Sequence, residues 1–122
     1  MVNQTSRRLA VLIVEDNEEI RFGMKTSLRH CGYRVMEATD ADEAVEIATR
    51  WPPDFILTEE ELPTFALLLK RAREHESLRD LPVVIVNPDA EEGTRYADAI
   101  VFTDYDQLKH FLLSPARASN QE

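Results

Sequence analysis

Three acidic residues stand where apolar runs come to an end. Leu9 to Val14 (LAVLIV) is followed at once by Glu15 and Asp16, and Phe55 to Thr58 (FILT) by Glu59. Glu59 opens a run of three glutamates that leads to Leu62 and Pro63. If both apolar runs are strands of one sheet, Glu15, Asp16 and Glu59 form an acidic pocket at its carboxyl end. Carboxylate oxygens so gathered suit a hard cation such as Mg²⁺ and repel one another without it. Glu60 and Glu61 read as solvated neighbours in the same loop. His30, His75 and His110 share no ligand spacing and belong on the surface.

The elements that must position these acids follow from pattern. LAVLIV is a continuous apolar run, as expected of a strand buried on both faces of a parallel sheet. Asn17 then caps a helix carrying Ile20, Met24, Leu28 and Cys31 at helical spacing, with Gly32 as its stop. Tyr33 to Ala38 is a second strand, and Asp40 with Glu43 forms a capping box for a helix built on Ala44, Val45 and Ala48, plugged at its end by Trp51. Asp54 to Thr58 is a third strand, Phe65 to about Glu76 a third helix, Leu81 to Val86 a fourth strand and Ala99 to Phe102 a short fifth. Asp104 and Gln107 open a last helix that runs to Ser114. Strands alternating with helices imply an α/β fold, a doubly wound sheet with right-handed crossovers. In such a sheet ligands bind beyond the carboxyl ends of the strands where the strand order reverses, which selects Glu15, Asp16, Glu59, Asn87 and Thr103.

A length of 122 residues with 43% hydrophobic residues fits one domain, expected over residues 7–114 with flexible ends at 1–6 and 115–122. A net charge of −9 repels phosphate backbones and anionic lipids, so neither nucleic acid nor membrane is an expected partner. The lone Cys31 cannot form an internal disulfide and, continuing the apolar helical pattern, reads as a buried thiol. The six-residue apolar run near the N-terminus is too short for a secretory or spanning segment, and a cytoplasmic protein is expected.

VLIVEDNEEIR at 11–21, CGYRVMEATDADEAVEIA at 31–48, PPDFIL at 52–57 and LRDLPVVIV at 78–86 resemble the receiver domain of response regulators, the phosphoryl-accepting module of two-component signalling. The resemblance implies a flavodoxin-like, CheY-like five-stranded parallel sheet of order 2-1-3-4-5. It also implies a pocket in which Mg²⁺ assists transfer of a phosphoryl group to an aspartate. Matched position by position, Glu15 and Asp16 correspond to the family's metal-binding acids. Counting back from Pro63, Glu59 occupies the place of the acceptor aspartate. The family's Thr or Ser after the fourth strand is Asn87, the Lys-Pro after the fifth is Thr103 and Asp104, and the aromatic switch position is Ile100.

These departures alter the expected chemistry. Glutamate reaches one methylene further than aspartate, and a displacement of about 1 Å can cost on the order of a hundredfold in rate. Loss of the lysine removes the cation that would balance developing phosphoryl charge. The chain therefore reads as a degenerate receiver, a binding module and not an enzyme, with Glu59 either imitating a phosphorylated aspartate or marking a decayed site. An amide hydrogen bond from Asn87 to Glu59 would favour imitation. No cofactor is firmly implied, and Mg²⁺ at the acidic pocket is expected to bind weakly without phosphate oxygens to complete its shell. The alternative is a Mg²⁺-dependent phosphoacceptor served by a histidine kinase. Pro88 and Gly93 oppose helix between the fourth and fifth strands, so the family's fourth helix is expected to be shortened or missing. Leu67, Tyr96, Phe102 and Tyr105 are candidate contact residues for a kinase, an effector or a second copy of the chain.

Overall fold

The computed structural model describes residues 9–58, 65–86, 100–102 and 105–112. Strands β1 (Ala10–Val14), β2 (Arg34–Ala38), β3 (Phe55–Thr58), β4 (Val83–Val86) and β5 (Ile100–Phe102) form a five-stranded sheet in the order β2-β1-β3-β4-β5. Every pairing is parallel. Helices α1 (Glu18–His30), α2 (Ala41–Arg50), α3 (Phe65–Glu74) and α4 (Tyr105–Leu112) alternate with the strands, and a 3₁₀ turn at Glu76–Leu78 follows α3. This is the doubly wound, flavodoxin-like architecture expected from the sequence. The segment in which a fourth family helix was expected to be shortened or missing, 87–99, lies outside the described residues, as do both chain ends.

Side-chain alternation along the strands divides the core into two layers. Leu12, Val14 and Ile56 face one side, where Ala44 and Ala48 of α2 and Leu68 and Ala72 of α3 cover them. Val11, Ile13, Phe55 and Leu57 face the other, against Met24 and Leu28 of α1 and Leu108 of α4. There Tyr33 meets Phe55 edge to face, with ring centroids 6.4 Å apart. Alanines at the inner positions of α2 leave little side-chain bulk between that helix and the sheet.

The caps explain where the helices begin. Asn17 Oδ1 accepts the Ile20 N–H at 2.9 Å, and Asp40 Oδ1 accepts the Glu43 N–H at 2.8 Å. The reciprocal arm of the second cap differs from expectation: Glu43 Oε1 takes the N–H and the hydroxyl of Thr39, not the N–H of Asp40. Gly32 closes α1 with φ 97°, a conformation suited to glycine.

Three burial expectations are corrected. Cys31 is exposed, because it caps α1 rather than continuing its inner face, which consists of Met24 and Leu28. Ile20, in the first turn of the same helix, is 40% exposed. Trp51 does not plug the end of α2 but lies 56% exposed, with the Arg50 guanidinium 5.5 Å from its ring centroid. The third helix also stops two residues early, at Glu74, and the 3₁₀ turn then delivers Leu78 into the core.

Leu12 is wholly buried whereas Leu67 is 38% exposed. Leu12→Ala is therefore expected to destabilise the fold by about 3 kcal/mol and Leu67→Ala by less than about 1 kcal/mol, measured by urea denaturation.

Candidate functional site

The carboxyl ends of β1 and β3 define the site. Val14 is in register with Thr58, so the two central strands leave the sheet at the same level, with Glu15 and Glu59 next in sequence. The Thr58 hydroxyl is buried and donates to the Val14 carbonyl at 3.0 Å, joining the strand ends by a side chain as well as by the backbone ladder. Glu59 itself lies outside the described residues, as do Asn87, Thr103 and Tyr96.

The two acids after β1 differ in setting. Glu15 is 3% exposed: its N–H donates to the Ala38 carbonyl at 3.0 Å, prolonging the β1–β2 pairing, and its Oε2 accepts the Asn17 N–H at 3.0 Å. Its carboxylate thus helps to close the turn into α1. Asp16, one residue on, is exposed. Sequence spacing brought the pair together but could not separate an inward acid from an outward one.

A charge network behind this turn escaped the sequence reading. Arg21 of α1 donates from a terminal guanidinium nitrogen to the Glu15 carbonyl at 2.9 Å and from Nε to Glu37 on β2 at 3.1 Å. Lys25 Nζ lies 3.2 Å from the other Glu37 oxygen. Burial alone would push the Glu37 carboxyl up, but hydrogen bonds and charge from Lys25 and Arg21 together outweigh it and hold the group below its ordinary value. Two signals were present in the sequence: Arg21 and Lys25 are four residues apart on one helix face, and Glu37 interrupts an otherwise apolar strand interior.

The remaining candidates are dispersed. Ile100 is half-buried and packs against the core layer under α1. Leu67 lines a groove of about 470 Å³ between α2 and α3 with Val45, Lys70, Arg71, Glu74 and His75. Arg71 there pairs with Asp42, and Lys70 with Glu74 at 3.7 Å. Phe102 lies on β5 and Tyr105 opens α4. All three histidines are exposed, as expected.

The model of the response regulator receiver domain family matches residues 11–106. The chain belongs to this family. Receiver domains serve two-component signalling, in which they meet histidine kinases and effectors. The polar-differentiation response regulator DivK of Brucella ovis is 33% identical over 86 residues, covering 69% of this chain and 70% of DivK. The two-component response regulator-like protein APRR5 of Arabidopsis thaliana is 34% identical over 92 residues, which is 72% of this chain but only 16% of that much longer protein. Among solved structures, the receiver domain of the sensor histidine kinase PA1611 from Pseudomonas aeruginosa is 26% identical with a TM-score of 0.70, covering 87% of this chain and 95% of that one. Its cleft coordinates a magnesium ion.

Among the described residues the receiver does not by itself assemble such an ion site. No three carboxylates, histidines or cysteines come together there, and Glu15 directs an oxygen at the Asn17 N–H. Asp16 alone presents an exposed carboxylate at the end of β1. Nor, among the described residues, is any helix long and apolar enough to cross a membrane.

The Glu37 network gives a pH prediction. A carboxyl whose folded pKa is depressed stabilises the fold fully above its unfolded value, and that contribution disappears as pH falls through the folded pKa. Glu37→Gln is expected to cost about 1 kcal/mol at pH 7, screened as it is by solvent. The gap from wild type should close below about pH 4, the ordinary glutamate range. Urea denaturation across this pH range measures both.

Proposed function

We propose that this receiver signals through protein contacts with a kinase or effector and does not accept a phosphoryl group. The observation that carries the proposal is the joint replacement at three strand ends. Glu59 follows β3 where the family resemblance calls for the acceptor aspartate, Asn87 follows β4 in place of a hydroxyl residue, and Thr103 follows β5 in place of lysine. Each change weakens the same reaction: the nucleophile is displaced, a phosphoryl ligand is lost, and the balancing ammonium is gone. The cations of α1 do not substitute, because Arg21 and Lys25 both bind Glu37, and Arg21 meets the acidic turn only at the Glu15 carbonyl. On this reading the domain is a cytoplasmic binding module, a pseudo-receiver, and not an enzyme.

One observation favours a second reading. Asp16 is exposed at the end of β1, and the PA1611 receiver coordinates magnesium in its own cleft. An operating phosphoacceptor would use that ion with an atypical carboxylate, Glu59 or Asp16.

Incubation with acetyl phosphate and Mg²⁺ followed by intact-mass measurement distinguishes the two. The mass is expected to stay unchanged, and an added phosphoryl group would refute the first reading. Glu59→Asp alone is also expected to remain unmodified, since Asn87 and Thr103 still lack the hydroxyl and the ammonium. Combining Glu59→Asp with Asn87→Thr and Thr103→Lys is expected to bring phosphorylation back.

A further inference from the structure

Both backbone groups of Glu15 are referred to strand β2. The N–H donates to the Ala38 carbonyl at 3.0 Å. The carbonyl accepts from the Arg21 guanidinium at 2.9 Å, and the same guanidinium donates from Nε to Glu37, the residue before Ala38, at 3.1 Å. The Glu15 carbonyl shares one rigid peptide plane with the N–H and Cα of Asp16, so whatever aims that carbonyl also aims the start of the exposed Asp16. A guanidinium is a planar fork, and a fork engaged at two prongs leaves this peptide little room to turn. Strand β2 is the outermost of its side of the sheet, and the Glu37 side chain keeps 34% exposure against 17% for Arg21. One anchor of the fork is therefore reachable from outside while the fork itself is largely covered.

We propose that Arg21 is a positioning residue for the acidic pocket: oriented by Glu37, it holds the Glu15–Asp16 peptide and so makes the presentation of the Asp16 carboxylate depend on the edge strand. A cationic group brought to Glu37 from outside competes for one prong and loosens the peptide that carries Asp16, although it touches neither acid of the turn. Lys25 plays a lesser part, because it binds the other Glu37 oxygen at 3.2 Å and its removal leaves both prongs of the fork in place. The coupling holds whether or not any carboxylate of the pocket accepts a phosphoryl group.

Amide hydrogen exchange on the full chain, followed residue by residue by NMR, tests the coupling. The reporters are the Glu15 amide and the Asn17 amide, which donates to Glu15 Oε2 at 3.0 Å. The Ile56 amide, bonded to the Pro82 carbonyl at 2.9 Å, monitors global stability. Glu37→Val keeps a good strand former in place, yet protection of the two reporters relative to Ile56 is expected to fall about tenfold. Arg21→Lys, which retains the charge, is expected to do the same, because a single ammonium does not reproduce the fork. Lys25→Gln is expected to leave both reporters within about twofold of wild type, and Arg21→Lys combined with Glu37→Val to lose no more than the worse of the two alone. Unchanged protection in Glu37→Val overturns the proposal. So does full protection in Arg21→Lys, a loss in Lys25→Gln equal to that in Glu37→Val, or losses that add in the double variant.

Discussion

The hydroxyl of Thr58, donating to the carbonyl of Val14 inside the sheet, joins residues 44 apart in sequence and fixes the level at which β1 and β3 end. Everything at the carboxyl end of the sheet inherits that level. If the register of β3 slipped by one residue, every side chain on it would change faces, and Ile56 and Phe55 would exchange core layers. Burial of both strands on both faces makes such a slip prohibitive. Strand β3 is accordingly committed to end level with β1, at whose own end the acids Glu15 and Asp16 stand.

Around this fixed point the electrostatics are local and directed. Glu15 is drawn inward by an N–H of its own turn, Asp16 is left outward, and Arg21 ties the carbonyl between them to β2 through Glu37. The result is an acidic turn whose backbone is braced by a cation while its exposed carboxylate is not neutralised by that same cation. A phosphoryl-transferring pocket needs positive charge aimed at the transferring oxygens. Here the guanidinium is aimed at backbone and at Glu37, which makes it a structural brace.

The sequence made the sheet legible because its strands are unusually plain: LAVLIV, FILT and VVIV admit no exposed face, and the glycine and the caps between them admit few alternatives. The acidic pair was legible for the same reason, as the residues next in line after a buried strand. What periodicity could not settle was the end of each helix. Cys31 continues the spacing of Met24 and Leu28, yet by that point the helix has turned into its cap and the thiol faces water. Ile20 fits the stripe from the other end and fails likewise, standing 40% exposed in the first turn of α1. The Arg21–Glu37–Lys25 network was hidden for a different cause: it joins a helix to an edge strand, a pairing that sequence distance alone does not suggest. The strand-end rule picks out Glu59 as a pocket residue, whereas its match to the family's acceptor aspartate rests only on the count back from Pro63.

Trp51 has a practical consequence. It is the only tryptophan of the chain and already stands mostly in water, stacked beside Arg50. The side chain most often used as an optical witness of folding therefore watches the surface here, and its emission reports the C-terminal end of α2 more than the core. Among the described residues, the rings that sense the interior are Tyr33 and Phe55, set edge to face under α1. For this molecule, loss of the near-ultraviolet tyrosine signal is the truer sign that the sheet has come apart.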